Sequence, residues 1–354
     1  MHGPWTMLLS IAPVGIAVLA ELNLLRLYVP LLRRRDARAR QPGRPTPSGS
    51  GAAPYAAAGR RREGTRAARY RPLLAGMVLP CMGAGVAAGQ NAPEPRPGSA
   101  FSLQLNLDVT NAYFYHGIVQ EDSGLIAQPA AKVTMNIHDS SEFKLDLILA
   151  TWNSFQSQKT NAGVQGDFTP YWYESDLITG FAITSGAVSL TTTYVFLTSP
   201  SDAYQTVQEL DFNLAYDDTA LLGAHALHPY ALLGIETGAN ASDGADSPTG
   251  VYLELGVAPG FSFDAGNTPI AITFPVALGL SLKDYYENAA GENDVFGFVQ
   301  VGVKASIPLP IAERYGKWSL NAGLAGMYLG DNTSEYDGGQ REQFIASVGL
   351  QLTF

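Results

Sequence analysis

Charged side chains recur at alternate positions of extended segments after residue 100, where they would share one polar face. Eight acids form this set: Asp108, Asp146, Glu174, Asp176, Glu209, Asp211, Glu236 and Glu254. Five bases oppose them: Lys132, Lys144, Lys283, Lys304 and Lys317. An excess of carboxylates inside a low-dielectric wall favours the passage of cations. The same charges could instead pair in a plug that conducts nothing, and the sequence leaves both interpretations open.

Residue types that catalyse reactions or bind metals do not converge on one motif. The histidines after residue 100 are His116, His138, His225 and His228. A lipid enzyme would need a histidine, a serine and an Asn or Asp that meet on an outer wall, and ordinary interfacial histidines are favoured over that set. His225 and His228 have i, i+3 spacing without an accompanying carboxylate motif. Because Asp331 to Glu342 also lacks the central glycine of a calcium loop, we predict no catalytic residue, metal or cofactor.

Hydrophobic and polar residues alternate with a period of two through most of this region, which is typical of strands with two different faces. At the C-terminus, Phe344, Val348 and Phe354 follow the alternation and Ile345 departs from it. The pattern predicts strands at 101–115, 129–138, 142–152, 171–184, 187–198, 205–216, 228–238, 249–263, 268–283, 295–307, 316–329 and 342–354. No segment shows a sustained helical period.

Many predicted strands exceed the roughly 5–6 residues usual in soluble sheets and reach the roughly 9–11 residues that a tilted strand needs to cross a membrane. In lipid, strands satisfy their backbone hydrogen bonds only in a closed barrel, and single-chain bacterial barrels have even strand numbers. We therefore predict an all-β fold, a transmembrane antiparallel up-and-down β-barrel of about 12 strands. The alternative is a soluble exported β-sandwich with the same side chains in its core.

The connections between predicted strands fit a barrel whose N-terminus is periplasmic and whose longer loops are external. The external connections would be 116–128, 153–170, 199–204, 239–248, 284–294 and 330–341. The periplasmic connection Asp217–Leu227 is longer than this rule predicts and could contain a short element. Aromatic residues near strand ends are predicted at the lipid–water boundary, namely Tyr113, Tyr115, Tyr171, Tyr173, Tyr194, Phe196, Tyr216, Tyr252, Trp318, Tyr328 and Phe354.

The formal net charge of −10 combines two regions of opposite sign. Residues 1–100 hold 14 Arg, no Lys and 4 acids, whereas the remainder has a net charge of −20. The Arg residues stand among Pro, Gly, Ala and Ser without interleaved aromatics, which favours a processed or disordered segment over a nucleic-acid-binding one. The acidic remainder would repel nucleic acid. Cys81 is the single cysteine, so the residues after it can form no disulfide.

The order of basic, apolar and small residues between 60 and 92 is typical of a secretory signal peptide. Arg60 to Arg71 supplies the basic run, Leu73 to Ala88 is apolar, and cleavage is predicted between Ala88 and Ala92. Residues 93–100 would form a short linker before a barrel at 101–354. Residues 1–59 receive no function, and three explanations stay open: a downstream translation start, an extended signal peptide, or an inner-membrane anchor.

Two stretches resemble known protein families. The C-terminal strand, with Val348, Leu350, Leu352 and Phe354 at alternate positions, resembles the signal that the outer-membrane barrel assembly machinery reads. The stretch from Val109 through His116-Gly117 to Pro129, followed by Trp152-Asn153-Ser154 and Glu174 to Phe181, resembles the TorF family of putative porins. Where that family usually has Arg-Gly, this chain has His116-Gly117. The resemblance implies an outer-membrane, pore-like protein without a defined substrate.

Together these features predict a protein of the bacterial outer membrane that acts as a narrow channel for small polar or cationic solutes. Its partners would be outer-membrane lipid, the barrel assembly machinery and the solutes themselves, with no nucleic acid. The sequence leaves the oligomeric state open. A non-conducting scaffold barrel is the first alternative function, and a barrel enzyme that modifies lipids is the second.

Overall fold

The structure is a computed structural model that describes residues 100–160, 166, 168–244, 250–266 and 268–354. The predicted N-terminal extension, signal peptide and residues 93–99 of the linker lie outside this part of the chain. The strands are β1 (Phe101–Thr110), β2 (Tyr113–Tyr115), β3 (Ile118–Glu121), β4 (Ile126–Asp139), β5 (Lys144–Gln156), β6 (Trp172–Ser185), β7 (Val188–Thr198), β8 (Val207–Tyr216), β9 (Tyr230–Glu236), β10 (Val251–Val257), β11 (Gly260–Ala265), β12 (Thr268–Thr273), β13 (Val276–Lys283), β14 (Phe296–Pro308), β15 (Lys317–Leu329) and β16 (Glu342–Thr353).

Short helical elements occupy four of the connections in the described ranges. Helix α1 (Thr219–Leu222) and a 3₁₀ turn (Gly223–His225) lie in the long periplasmic connection, which confirms that it contains a short element. Helix α2 (Asp331–Tyr336) lies in the last external connection, and further 3₁₀ turns span Thr169–Tyr171 and Glu313–Tyr315. Within the described ranges, no helix has both the length and the apolar character needed to cross a membrane.

The sheet closes on itself because β1 pairs with β4 on one side and with β16 on the other, both antiparallel. Twelve strands span the wall once β10 and β11 are counted as one interrupted strand and β12 and β13 as another. Pro259 and Pro275, which have no N–H to donate, stand at these interruptions. Their carbonyl groups still accept hydrogen bonds from the neighbouring strands, at 2.8 Å from Phe274 N and 2.9 Å from Gly302 N. The predicted 12-stranded antiparallel barrel is thus confirmed.

Apolar side chains cover the outside of the barrel and polar side chains face inward. In β5, Leu147 and Leu149 are 44% and 55% exposed, whereas Asp146 and Ser154 on the opposite face are buried. A soluble protein has the reverse arrangement, because an apolar exterior and charged side chains in the core would both cost free energy in water. A closed sheet with an apolar exterior satisfies its backbone in lipid. The chain is therefore a barrel of the bacterial outer membrane.

The first strand is shorter than predicted. The alternation of the sequence continues to Tyr115, but β1 ends at Thr110. The next residue, Asn111, uses its side chain to close the pairing with β16, because its Oδ1 accepts a hydrogen bond from Ala346 N at 2.6 Å and its Nδ2 donates one to Phe344 O at 2.9 Å. The chain then leaves the wall and turns into the barrel.

Candidate functional site

The connection between β1 and β4 folds back into the barrel as a small antiparallel hairpin, here called the inward hairpin (residues 113–121). Its strands β2 and β3 meet at His116 and Gly117, whose φ values are +47° and +82°. Residues 112–118 are all buried, although they belong to a loop region. Gly117 lies against the barrel wall so closely that a Cβ atom there would be 2.4 Å from Cδ1 of Phe298 on β14.

The two faces of the inward hairpin contact opposite parts of the barrel wall. On one face, Tyr113 and Tyr115 join an apolar cluster with Ile126, Ala130, Ala150, Trp152, Tyr173, Ile178, Val195, Leu197 and Val207. On the other face, Phe114 and Ile118 join a cluster with Ala112, Leu232, Tyr252, Tyr285, Tyr286, Phe298, Ala325, Met327, Leu329 and Ile345. The hairpin therefore crosses the lumen in the half that was predicted to be external. Ile345 breaks the sequence alternation because it packs inward in this second cluster.

Tyrosine hydroxyls connect the hairpin and its neighbours to buried glutamates of the wall. Tyr113 donates a hydrogen bond to Glu174 Oε1 at 2.8 Å. Tyr115 donates to Glu209 Oε1 at 3.0 Å, and Tyr285 donates to Glu209 Oε2 at 2.9 Å. These carboxylates thus have hydrogen-bond donors in place of the water that burial removes.

Several aromatic residues do not lie at the lipid–water boundary where the sequence pattern placed them. Tyr113, Tyr115, Tyr173 and Tyr252 are at most 8% exposed and belong to the interior clusters. The prediction was wrong for these four because a position near a strand end does not tell whether the side chain points outward or inward. By contrast, Tyr216, Tyr328 and Phe354 are exposed on the outside.

His116 lies at the centre of the inward hairpin rather than at an interface, so the favoured interpretation of it as an ordinary interfacial histidine was wrong. Its ring stacks between Tyr115 and Tyr252, with centroid separations of 4.1 and 3.9 Å. Its Nδ1 is 2.6 Å from Tyr285 Oη and 3.8 Å from Glu209 Oε1. Burial lowers the pKa of the His116 imidazole to about 3, so this side chain is neutral at physiological pH.

Most of the acids predicted to line the lumen do face the interior. Six are buried with at most 5% exposure on β5, β6, β8 and β9: Asp146, Glu174, Asp176, Glu209, Asp211 and Glu236. Glu254 is also buried and accepts hydrogen bonds from Tyr230 Oη at 2.7 Å and Tyr252 Oη at 2.5 Å. Asp108 is half-buried and its carboxylate lies over Gly349, where a Cβ atom would be 1.9 Å from it.

The lysines predicted to oppose these acids divide into two groups. Lys132, Lys144 and Lys304 are half-buried on inward-facing positions of β4, β5 and β14, and Lys144 Nζ lies 3.0 Å from Asp146 Oδ2. Lys283 and Lys317 are exposed at strand ends. Each stands at the terminus of its strand, where the wall no longer encloses the side chain, so the place of these two in the lumen stays a prediction.

The interior charges are separated across the lumen. No Lys or Arg occurs between Lys159 and Lys283, which is the stretch that forms β6 to β13. The buried acids Glu174, Asp176, Glu209, Asp211, Glu236 and Glu254 all belong to this stretch. The inward-facing lysines belong to β4, β5 and β14 on the other part of the wall. A solute in the lumen would therefore meet carboxylates without Lys or Arg on one side, and ammonium groups together with Asp108 and Asp146 on the other.

One group of side chains in the described residues has a spacing that could hold a metal ion. Asp217, Asp218 and His228 each place a ligand atom within 4.8 Å of the others at the periplasmic connection. Both oxygens of Asp218 already accept backbone hydrogen bonds, from Leu227 N at 2.9–3.0 Å and from His228 N at 3.0 Å. The carboxylate of Asp218 therefore joins the two ends of this connection. We assign this structural role to the group of Asp217, Asp218 and His228.

The residues of the predicted assembly signal lie on the outside of the last strand. Val348, Leu350 and Phe354 are 50%, 41% and 42% exposed, and Leu352 stands on the same face. The wall thus presents them to lipid. Their recognition during assembly stays a prediction.

Sequence reasoning missed the tyrosines Tyr230, Tyr285 and Tyr286 as interior residues. Tyr286 donates a hydrogen bond to the carbonyl oxygen of His116 at 2.7 Å, so it holds the tip of the inward hairpin. Tyr285 and Tyr286 stand in a predicted external loop, where nothing in the local pattern marks them as buried. The available signal was the adjacent Tyr-Tyr pair within an otherwise polar loop.

Comparisons with known proteins give structural likenesses alone. No protein-family model matches the chain, and a search of curated proteins finds no match. The COG4313 outer membrane channel from Pseudomonas putida F1 is 12% identical, with 74% of this chain and 100% of that chain covered and a TM-score of 0.40. LpxR from Salmonella typhimurium is 10% identical, with 71% and 100% covered and a TM-score of 0.38. The NanC porin is 9% identical, with 71% and 98% covered and a TM-score of 0.35.

Proposed function

We propose that the protein is a narrow outer-membrane channel for small polar or cationic solutes, in line with the resemblance of its first hairpin to the TorF family. The observation that carries this proposal is the separation of charge in the lumen. Six buried carboxylates stand on β6 to β10, a stretch without Lys or Arg. A channel wall of this composition stabilises cations relative to anions, because the low-dielectric barrel concentrates the field in the lumen.

The inward hairpin sets the size of solute that such a channel would accept. It contacts both parts of the wall in the external half, so the free cross-section is smaller than that of an empty barrel of 12 strands. Small ions and small polar molecules fit this geometry better than oligosaccharides do. A solute would pass along the polar atoms beside the hairpin, or a movement of the hairpin would widen the lumen for it.

A non-conducting barrel is the second candidate, and the same hairpin favours it. Its aromatic and apolar side chains pack as densely as a protein core, with Tyr113 and Phe114 at most 2% exposed. A barrel closed in this way would serve as a scaffold in the outer membrane. The two candidates differ in a single measurable property, the ionic current through one molecule.

The deciding experiment is single-channel recording of the purified full chain in planar lipid bilayers. The channel proposal expects discrete current steps and, with unequal KCl on the two sides, a reversal potential of the sign that marks cation preference. An absence of steps from folded barrels would refute the channel and support the scaffold. Steps with anion preference would refute the assignment of the carboxylates to the conduction path.

Selectivity should depend on the acids of the wall. Replacement of Glu174 and Glu209 by Gln, together with Asp176 and Asp211 by Asn, should reduce the cation preference, because it removes the charges that the path would meet. The matched control neutralises four acids that are exposed outside the lumen, namely Asp122, Asp139, Glu142 and Glu292. Equal reversal potentials for both variants would contradict the proposal.

The barrel assembly machinery is the further partner that we propose. The outward row of Val348, Leu350, Leu352 and Phe354 supports this proposal through its resemblance to the assembly signal. Deletion of Phe354 should reduce the amount of folded barrel in outer membranes, measured by resistance to unfolding in cold detergent during electrophoresis. Unchanged assembly of the deletion variant would refute it.

A further inference from the structure

Backbone register places four inward-facing residues in one row across β6 to β9. Gly180 stands opposite Thr193, Thr193 opposite Asp211, and Asp211 opposite Gly234. Thr193 and Asp211 are fully buried, with 1% and 0% exposure. Gly234 contributes no side chain to the interior beside this Thr–Asp pair, whereas a Cβ atom on Gly180 would be only 2.0 Å from Thr192 O.

Two carboxylates occupy the space that a side chain at Gly234 would fill. A Cβ atom on Gly234 would lie 2.9 Å from Glu209 Oε1 and 3.3 Å from Asp211 Oδ1. Both acids of β8 therefore turn toward the same small volume above β9. Glu236 adds a third acid next to it, because it stands directly opposite Glu209 in the β8–β9 pairing.

Neutral oxygen atoms complete the surroundings of Asp211. Thr193 lies across the strand pair from it, and Asn213 follows two residues later on the same face. In the described part of the chain, Thr193 Oγ1 and both amide atoms of Asn213 have no hydrogen-bond partner, although both residues are at least 98% buried. A buried polar group without a hydrogen-bond partner is unfavourable, and a bound water molecule or ion is one way to satisfy it.

The strands that form this volume carry no basic side chain. The stretch between Lys159 and Lys283 has no Lys or Arg, and it includes β6 to β10. His116, which lies 3.8 Å from Glu209, is neutral because burial lowers its pKa to about 3. Adjacent buried carboxylates repel one another unless a proton or a cation lies between them. Oxygen ligands of this kind suit hard cations.

We propose that Glu209, Asp211, Thr193 and Asn213 form a binding site for a monovalent cation, either K⁺ or a primary ammonium group. The site lies beside the inward hairpin. This proposal rests on the proposed channel function and adds the position at which the channel would select cations. A divalent metal is less suited to it. In the described ranges, the three acid or imidazole ligand atoms that lie within 4.8 Å of one another belong to Asp217, Asp218 and His228, which are outside this site.

The test is an anomalous-scattering experiment on crystals of the full chain soaked in rubidium chloride, because Rb⁺ replaces K⁺ and can be located directly. We expect an anomalous peak within coordination distance of the Asp211 carboxylate. The peak should be lost in Asp211→Asn and weakened in Thr193→Val, which keeps the shape of the side chain and removes its oxygen. The control Asp146→Asn should keep the peak, since Asp146 pairs with Lys144. Wild-type barrels without a peak at Asp211, or a peak that persists unchanged in Asp211→Asn and Thr193→Val, would overturn the proposal.

A second soak that adds an excess of methylammonium chloride distinguishes the two sources of positive charge. Loss of the Rb⁺ peak supports a site that accepts ammonium groups, and its persistence supports a site for inorganic ions. Single-channel recording separates this proposal from the channel proposal. A peak in a barrel that carries no current keeps the site and refutes the channel. Cation-selective current with no peak, unchanged in Asp211→Asn, keeps the channel and refutes the site.

Discussion

The hydroxyl group of Tyr113 donates a hydrogen bond to Oε1 of Glu174 over 2.8 Å, and this bond joins the inward hairpin to strand β6 across 61 residues of chain. Tyr115 forms a similar bond with Glu209 on β8. The hairpin is thus fixed by polar contacts to the same carboxylates that we assign to selectivity. A change in one of these bonds should therefore affect both the stability of the hairpin and the ionic current.

Removal of the two hydroxyls should loosen the hairpin. We expect Tyr113→Phe and Tyr115→Phe each to lower the free energy of unfolding by about 1–3 kcal/mol, because each leaves a buried carboxylate oxygen without its donor. The combined variant should also show larger or more frequent current steps. Urea unfolding in lipid vesicles, followed by tryptophan fluorescence, measures the first effect. Tyr216→Phe is the control, since Tyr216 is exposed at the outer surface, and an equal loss there would contradict the assignment.

Gly117 tests how closely the hairpin packs on the wall. Gly117→Ala places a methyl group in the left-handed region, which costs about 1–2 kcal/mol, and it also forces Phe298 to move. Gly186→Ala carries a similar backbone cost, with φ of +58°, but its new methyl group would meet nothing within 4 Å. The free energy of unfolding should therefore fall further for Gly117→Ala. Equal losses would show that the contact between the hairpin and Phe298 is not tight.

A substitution at Leu149 tests whether the outer face of the wall contacts lipid. It stands in the middle of β5 and is 55% exposed. Leu149→Arg should destabilise the folded barrel by about 2–4 kcal/mol in bilayers, because an arginine on the lipid face near the midplane loses its hydration. Leu221→Arg in helix α1 is the control, since Leu221 is 72% exposed outside the wall, and its effect should stay within about 0.5 kcal/mol. Refolding titrations in urea measure both, and a neutral Leu149→Arg would argue against a lipid-facing surface.

His116 should make stability depend on pH. The pKa of His116 in the folded chain is about 3, against about 6.5 for an unperturbed histidine. Between these pH values the unfolded chain therefore binds a proton on this side chain and the folded chain does not. The contribution of neutral His116 is complete above about pH 6.5 and is lost as the pH falls toward 3. Between pH 7.5 and 5, the wild type should lose about 2 kcal/mol more unfolding free energy than His116→Gln does.

The control for this pH effect is His138→Gln. His138 is exposed at the end of β4, where its ring stacks on Phe143 with a centroid separation of 4.5 Å. Its replacement should leave the wild-type pH dependence unchanged. Parallel pH profiles for the wild type and His116→Gln would contradict the burial of a neutral imidazole in the hairpin.

The sequence by itself determined the wall of the barrel. Alternation with a period of two is a local property, because successive side chains of a strand point to opposite faces wherever the strand lies. Segments such as 187–198 and 316–329 could therefore be located to within one or two residues, and the inward positions of Glu174 and Asp211 followed from the same rule. Closure followed from the requirement that edge strands in lipid find partners.

Only the tertiary structure decided what fills the lumen. Tyr113, His116 and Tyr285 stand in stretches whose local pattern is equally compatible with the membrane boundary, an external loop or the interior. Their burial depends on contacts between residues far apart in the chain, such as the hydrogen bond between Tyr285 and Glu209, which are 76 residues apart. Periodicity carries no information about such pairs, because it describes one strand at a time. The direction of the hairpin was set by packing against both parts of the wall.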